Sequence, residues 1–284
     1  MKYIFVGDAD SINIEIISKA FNILKNSVNY ILIGNFLEIK DYLLKIKSPL
    51  TINLIQDPIN LYDYNHKKLN LYNIDNISKQ KYKNLINQIN ISNFLAKKTG
   101  FDLITMPVNK HTFKKKLNFI GMTEHLGKIN KKNTIMLMHG ERFSVIPLTT
   151  HINLKDIKKY INKKFLSSNL TLINKQIKRR IYELNFKSIK FLCYNPHCSE
   201  ENTIGNEDRK ITKIIKNFKN IYGPFSADSA FNNIHNDLLF ISMYHDQALI
   251  PFKILNKKGI NLTLGLNYKR LSPAHGTARD IKFK

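Results

Sequence analysis

The chain reads as an α/β fold built on a parallel sheet, and three observations predict it. "YIFVG", a helical stretch and "VNYILIGN" form a β-α-β opening within the first 35 residues. Apolar strand candidates then recur along the chain with helical stretches between them. Several of them run straight into polar side chains, as strands do when they deliver functional groups to the carboxyl edge of a parallel sheet.

In order, "YIFVG" is a strand followed by the loop "DADS". "INIEIISKAFNILKN" spaces Ile12, Ile16, Phe21 and Leu24 near one helical face. "VNYILIGN" is the second strand. Residues 55–85 are rich in Asn, Lys and Tyr with weak periodicity, and read as an insertion that carries no function. A helix ending at Gly100 leads into the strand "FDLITMPVNK". "RFSVIPLTTH", "IKFLCYNPH" and "LLFISMYHDQ" end in His151, His197 and His245, with "LKDIKKYINKKF" and "NEDRKITKIIKNF" helical between them. There is no internal repeat and no separate linker.

At 284 residues the chain can bury a substantial core, in one large domain or two smaller ones. The formal charge of +24 invites a nucleic-acid partner. Its make-up argues against one. Only six residues are Arg, the side chain best suited to bidentate phosphate and base contacts, and the Lys residues are scattered throughout. Abundant Ile, Asn, Tyr and Phe fit the codon bias of an AT-rich genome, and no nucleic-acid motif accompanies the charge. Two cysteines, Cys193 and Cys198, are too few for a disulfide framework and lack zinc-site spacing; Cys193 reads as a small packing residue. The first apolar run is too short for a signal peptide, and no run approaches the roughly 18 apolar residues of a membrane helix. The expectation is a cytoplasmic protein with neither membrane nor nucleic acid as partner.

Three strands that each finish in a histidine point to one shared site. A lone histidine is more often structural or superficial, and separations of 46 and 48 residues do not by themselves define a metal site.

The flanking residues sharpen the reading. "GMTEHLG", "PLTTHINLKDI", "YNPHCSE", "GPFSADSAF", "MYHDQALIPFK", "NLTLGL" and "RLSPAHGTARDI" occur in this order from residue 121 to the end. Together they resemble the 4-hydroxythreonine-4-phosphate dehydrogenase family of pyridoxal phosphate biosynthesis; "TMPVNK" and the opening "GD" extend the likeness more weakly. The resemblance implies a two-domain α/β/α fold of the isocitrate/isopropylmalate dehydrogenase-like type, with the active site in the interdomain cleft and domains at 1–120 and 121–284. It implies a homodimer in which His151, His197 and His245 hold one divalent cation (zinc, magnesium or cobalt), with ligands shared across the subunit interface. These histidines and Lys110 are the catalytic candidates, and Asp246 is an orienting or further oxygen ligand. By motif position Thr123, Lys253, Asn261 and Arg270 bind substrate, while His275, Gly276 and Thr277 hold NAD or NADP. No G-x-G-x-x-G fingerprint follows the first strand, which fits a family that binds its nucleotide differently.

The implied reaction is oxidation of 4-phosphooxy-L-threonine to a 3-oxo acid that decarboxylates to 3-amino-2-oxopropyl phosphate. Alternatives are a sibling acting on threonate or erythronate 4-phosphate and a non-catalytic remnant. Departures from the family pattern motivate the remnant. Met122 stands where a histidine is usual, with His125 three residues on; Ala274 replaces an Asp; the first loop lacks its Pro and later glycines. "CSEENTIG" keeps only Gly205 of a glycine-rich loop, which matters if any position there needs positive φ. Relatives also continue past "HGTARDIKFK" through a final helix, so the first domain is expected to lack its usual completion.

Overall fold

Strand β1 (Lys2–Phe5) buries Tyr3, Ile4 and Phe5. It is followed by helix α1 (Asn13–Leu24) and strand β2 (Tyr30–Gly34), which pairs with β1 in parallel. The computed structural model describes residues 1–24, 27–109, 111–114 and 119–283. Onward run α2 (Phe36–Lys45), β3 (Ile52–Leu54), β4 (Leu69–Asn73), α3 (Lys81–Thr99), β5 (Asp102–Thr105), the short α4 (His111–Lys114) and α5 (Met122–Asn130). Then come β6 (Ile135–Gly140), β7 (Ser144–Pro147), α6 (Lys163–Gln176), β8 (Ser188–Leu192), α7 (Glu207–Ile215), β9 (Ile221–Phe225) and β10 (Leu238–Ser242). Helix α8 (His245–Leu255), β11 (Gly259–Leu264) and β12 (Arg270–Pro273) complete the elements.

The chain divides into two compact units, Met1–Leu126 with Asn267–Lys284, and Gly127–Leu266. The last 18 residues therefore belong with the first unit, not with the second as a split at 120/121 implies. The physical reason is β12, which pairs in parallel with β5 through Arg270–Leu103 and Leu271–Ile104. In the first unit the strand order is β3-β4-β2-β1-β5-β12, parallel throughout. In the second it is β11-β6-β7-β10-β8-β9. There β11, β6 and β7 are antiparallel to one another in turn, while β7, β10, β8 and β9 are parallel.

Both β2 and β10 are buried at every position, as central parallel strands covered on two faces must be. Phe240 of β10 packs against Phe231 and Phe143, with ring centres 4.5 and 5.6 Å away. Phe240→Ala is expected to cost about 3–5 kcal/mol of stability, measured by urea denaturation, because removing a fully buried ring leaves a cavity.

Three local readings differ from the sequence expectation. In α1 the buried apolar residues are Ile14 and Ile17, while Ile16 and Phe21 are only partly covered and Leu24 is exposed. The helix thus turns a face one step away from the Ile12–Ile16 line. Within 55–85, β4 contributes Leu69 and Leu71 to the core and pairs with β2. Its apolar pattern is broken by Asn70, buried because its amide donates to the carbonyls of Asn65 and Lys68. The stretch 154–160 forms a 3-10 turn, and the α-helix starts only at Lys163, capped by the Asn162 side chain. Gly100 does end α3, at φ 75°, with its N–H bonded to the Ala96 carbonyl. Among the described residues no helix is long and apolar enough to cross a membrane.

Candidate active site

The three histidines follow the carboxyl ends of adjacent parallel strands of the second unit. His151 lies four residues beyond β7, His245 three beyond β10 and His197 five beyond β8, with β10 between the other two strands. Hydrogen bonds tie the three strand exits together. Thr149 donates through its hydroxyl (2.5 Å) and its N–H (3.2 Å) to the Met243 carbonyl. Gln247 Nε2 donates to the Cys193 carbonyl at 2.8 Å.

His151 and His245 come together. Their ring centres are 6.5 Å apart, and both line an open cavity of about 320 Å³ with Thr150, Tyr244 and Asp246. A zinc–nitrogen bond is about 2.0–2.1 Å, so two imidazoles on one ion have centres separated by at most roughly 6.4 Å. At 6.5 Å the pair lies just beyond that limit, which a linear arrangement sets. Tetrahedral coordination puts the centres about 5.2 Å apart, so the rings must close by about 1 Å to share a cation. His245 Nδ1 is 2.7 Å from Asp246 Oδ1. A carboxylate there holds the proton on Nδ1 and leaves the Nε2 lone pair for a cation. The donor set is thus chemically suited to a divalent ion.

His197 stands apart from that cavity lining. Its Nδ1 is 2.8 Å from Glu200 Oε1 and its Nε2 is 3.7 Å from Asp228 Oδ2. These carboxylates, the Glu200 hydrogen bond foremost, raise its pKa above the usual imidazole value. Among the described residues no group of three His, Cys, Asp or Glu side chains is assembled to hold a metal ion. The chain alone brings two of the three expected ligands together. Asp228, in the loop after β9, was not singled out from sequence; its one signal was a carboxylate inside "GPFSADSAF".

In the first unit Arg270 is buried at the start of β12. Its guanidinium donates to the hydroxyls of Thr105 and, at 3.4 Å, of Thr123. Two of the expected substrate groups, Arg270 and Thr123, are therefore joined, and Thr105 is a partner that sequence reasoning missed. Burial pulls the Arg270 pKa down to about 10, so it stays charged at neutral pH. Lys253 lies exposed in the last turn of α8. Asn261 is on β11, and its Oδ1 is buried without a hydrogen-bond partner among the described residues. Lys110 lies outside the described residues.

The sequence pattern of the family described as "Pyridoxal phosphate biosynthetic protein PdxA" matches residues 15–284. This chain belongs to the PdxA family. A 4-hydroxythreonine-4-phosphate dehydrogenase of Sulfurihydrogenibium sp. is 33% identical over 99% of this chain and 91% of its own length. One from Hydrogenobaculum sp. is 42% identical, over 64% of this chain and 59% of the relative, so that alignment spans less than two thirds of the relative. The crystal structure of the Klebsiella pneumoniae 4-hydroxythreonine-4-phosphate dehydrogenase superposes with a TM-score of 0.83 at 24% identity, covering 100% of this chain and 93% of that one. The likeness establishes the fold.

Against the PdxA pattern, the glycine-poor loop has a clear outcome. Six successive residues, His197 to Asn202, take φ between 40° and 77° with no glycine among them. Each such non-glycine residue costs about 1–2 kcal/mol. Neighbouring carboxylates hold the segment: Glu207 accepts from Asn195 Nδ2 at 2.9 Å and pairs with Lys158 at 2.6 Å. The Lys158 contact first, and the Asn195 amide next, hold the Glu207 carboxyl at about 2, below the ordinary 4.5. A depressed carboxylate pKa stabilises the folded chain above the ordinary value, and that contribution disappears as pH falls towards the folded one. The melting temperature is therefore expected to drop between about pH 4.5 and pH 2, and Lys158→Ala to flatten that part of the profile.

At the other PdxA departures, Met122 opens α5, and His125 packs its ring against Phe119 with centres 5.4 Å apart. His275 is exposed, its Nδ1 2.8 Å from the Gly276 carbonyl, and the Thr277 carbonyl accepts from Ile12 N–H. A Cβ added at Gly276 meets nothing within 4 Å, so the backbone there faces open space. The residues that follow are pinned to the first loop. Buried Asp8 pairs with Lys81 (2.5 Å) and Arg279 (3.2 Å), and Asp10 with Arg279 and Lys282.

Proposed function

We propose that the chain oxidises 4-phosphooxy-L-threonine with NAD or NADP, giving a 3-oxo acid that loses carbon dioxide to leave 3-amino-2-oxopropyl phosphate. The observation that carries this reading is the His151–His245 pair, backed by Asp246, at the carboxyl edge of a parallel sheet in a PdxA-family chain. His151, His197 and His245 would hold a zinc, magnesium or cobalt ion, which when bound supplies Lewis-acid polarisation for the substrate's alcohol oxygen. His275, Gly276 and Thr277 would hold the adenosine side of the nicotinamide nucleotide, which supplies a hydride acceptor.

The chain's own residues do the rest. Asp246 keeps the His245 proton on Nδ1. Arg270, buried and bonded to Thr105 and Thr123, supplies a fixed positive charge that favours the substrate's anionic groups and holds the Thr123 hydroxyl in place. The unpartnered Asn261 oxygen accepts a hydrogen bond from a substrate donor. Lys253 adds a mobile positive charge, and Lys110 is the further catalytic lysine.

The active species in this reading is a cytoplasmic homodimer in which His197 completes the site across the subunit interface. Two features support it. His197 does not line the cavity of the other two histidines, and Ile250 and Ile254, one turn apart on α8, the helix that His245 opens, are exposed. The test is an NAD(P)-linked assay of the purified chain with cobalt or zinc. Turnover of 4-phosphooxy-L-threonine is expected; turnover of threonate 4-phosphate alone overturns the substrate assignment.

A further inference from the structure

We infer that Asp208 is a positioning residue for His197, holding the left-handed turn that presents this imidazole. The inference rests on the reading of His197 as a cation ligand.

Asp208 is buried in the first turn of α7, where an acidic residue by itself is unremarkable, since the helix amides favour negative charge there. Its oxygens, however, are directed elsewhere. Oδ1 accepts the Tyr194 N–H at 2.6 Å; Oδ2 accepts the Asn195 N–H at 3.0 Å and the Ser199 hydroxyl at 2.6 Å. The Asn195 amide in turn donates to the Ser199 hydroxyl at 2.9 Å. One carboxylate thus grips the chain on both sides of His197, three and two residues before it and two after. His197 and Cys198, at φ 46° and 56°, lie between those grips and open a run of positive φ, a backbone that glycine adopts freely, which continues through Ser199 to Asn202. A turn without glycine needs an outside restraint; buried Glu207 reaches this segment at Asn195, before His197, whereas the buried Asp208 carboxylate bonds it on both sides of His197.

Asn is the informative replacement because it keeps the shape. It leaves one oxygen, while its NH2 faces donors where the carboxylate had accepted. Ser199→Ala removes one of the three bonds and keeps a Cβ at φ 71°. Asn202→Gly relieves the backbone at φ 77° without touching Asp208.

The experiment is a titration of the full chain with Co2+ alone, followed by its visible absorption, with thermal melting in parallel. Folded Asp208→Asn is expected to bind Co2+ about 10- to 100-fold more weakly, the usual effect of removing a group that orients a metal ligand. Asn202→Gly is expected to keep wild-type affinity. Wild-type Co2+ affinity in folded Asp208→Asn, with only a lower melting temperature, overturns the inference and leaves the metal reading standing. Should Asp208→Asn fail to fold, Ser199→Ala decides: a several-fold loss supports the inference, and no change overturns it. Absence of Co2+ binding in the wild type, or unchanged binding in His197→Ala, defeats the metal reading itself, and the inference with it.

Discussion

His245→Ala is expected to lower kcat/KM by at least about a thousandfold, equivalent to about 4 kcal/mol of transition-state stabilisation, and to abolish tight Co2+ binding. His245 is the central ligand candidate, since it follows β10, the strand flanked by the two that carry the other histidines. Removing it leaves His151 without its neighbour at 6.5 Å and Asp246 without the imidazole it orients. Asp246→Ala is expected to act more mildly, about 10- to 100-fold on metal affinity, because the imidazole remains but loses its fixed tautomer. Steady-state kinetics beside metal titration separates the two. Loss of activity with full metal binding in His245→Ala would remove the histidine from the cation site.

Arg270→Ala is expected to weaken substrate capture by about 2–5 kcal/mol, seen chiefly as a raised KM, and to lower the stability of the first unit. The side chain is only 3% exposed, so truncation empties a packed site and strips the Thr105 and Thr123 hydroxyls of a charged donor. Arg270→Lys is expected to recover little, because an ammonium cannot span both hydroxyls as the planar guanidinium does. With its pKa lowered by burial to about 10, Arg270 stays charged near neutral pH, so its loss changes the level of the activity profile there and not its shape. Kinetics with the phosphorylated substrate and urea denaturation read the two effects separately.

Much of this was legible in the residues. The parallel strands that position the histidines announce themselves because a strand buried on both faces must be continuously apolar, as "YILIG" and "LLFIS" are. Strand ends pointed to His151, His197 and His245 together, since adjacent parallel strands deliver their exits to one edge; His151 and His245 lie close, while His197 does not line their cavity. What stayed hidden depends on partners remote in sequence. Asn70 looks like a loop residue until Asn65 and Lys68 supply its hydrogen bonds, so β4 was lost in a polar stretch. The return of β12 to β5 is a pairing across more than 160 residues, which no local pattern encodes. Thr105 and Asp228 carry no local mark of function; Arg270 and His197 reveal them by contact. The positive-φ turn was hidden for the opposite reason. Its residues argue against that backbone, and hydrogen bonds, among them those to the Asp208 and Glu207 carboxylates, hold it.

The most direct test of the cation site is a crystal structure of the full chain grown with Co2+, with the ion located by anomalous scattering. The account predicts one strong peak per subunit, bonded to Nε2 of both His151 and His245 and completed by a His197 imidazole. A peak elsewhere, or none between the His151 and His245 rings in a fully assembled crystal, would contradict it.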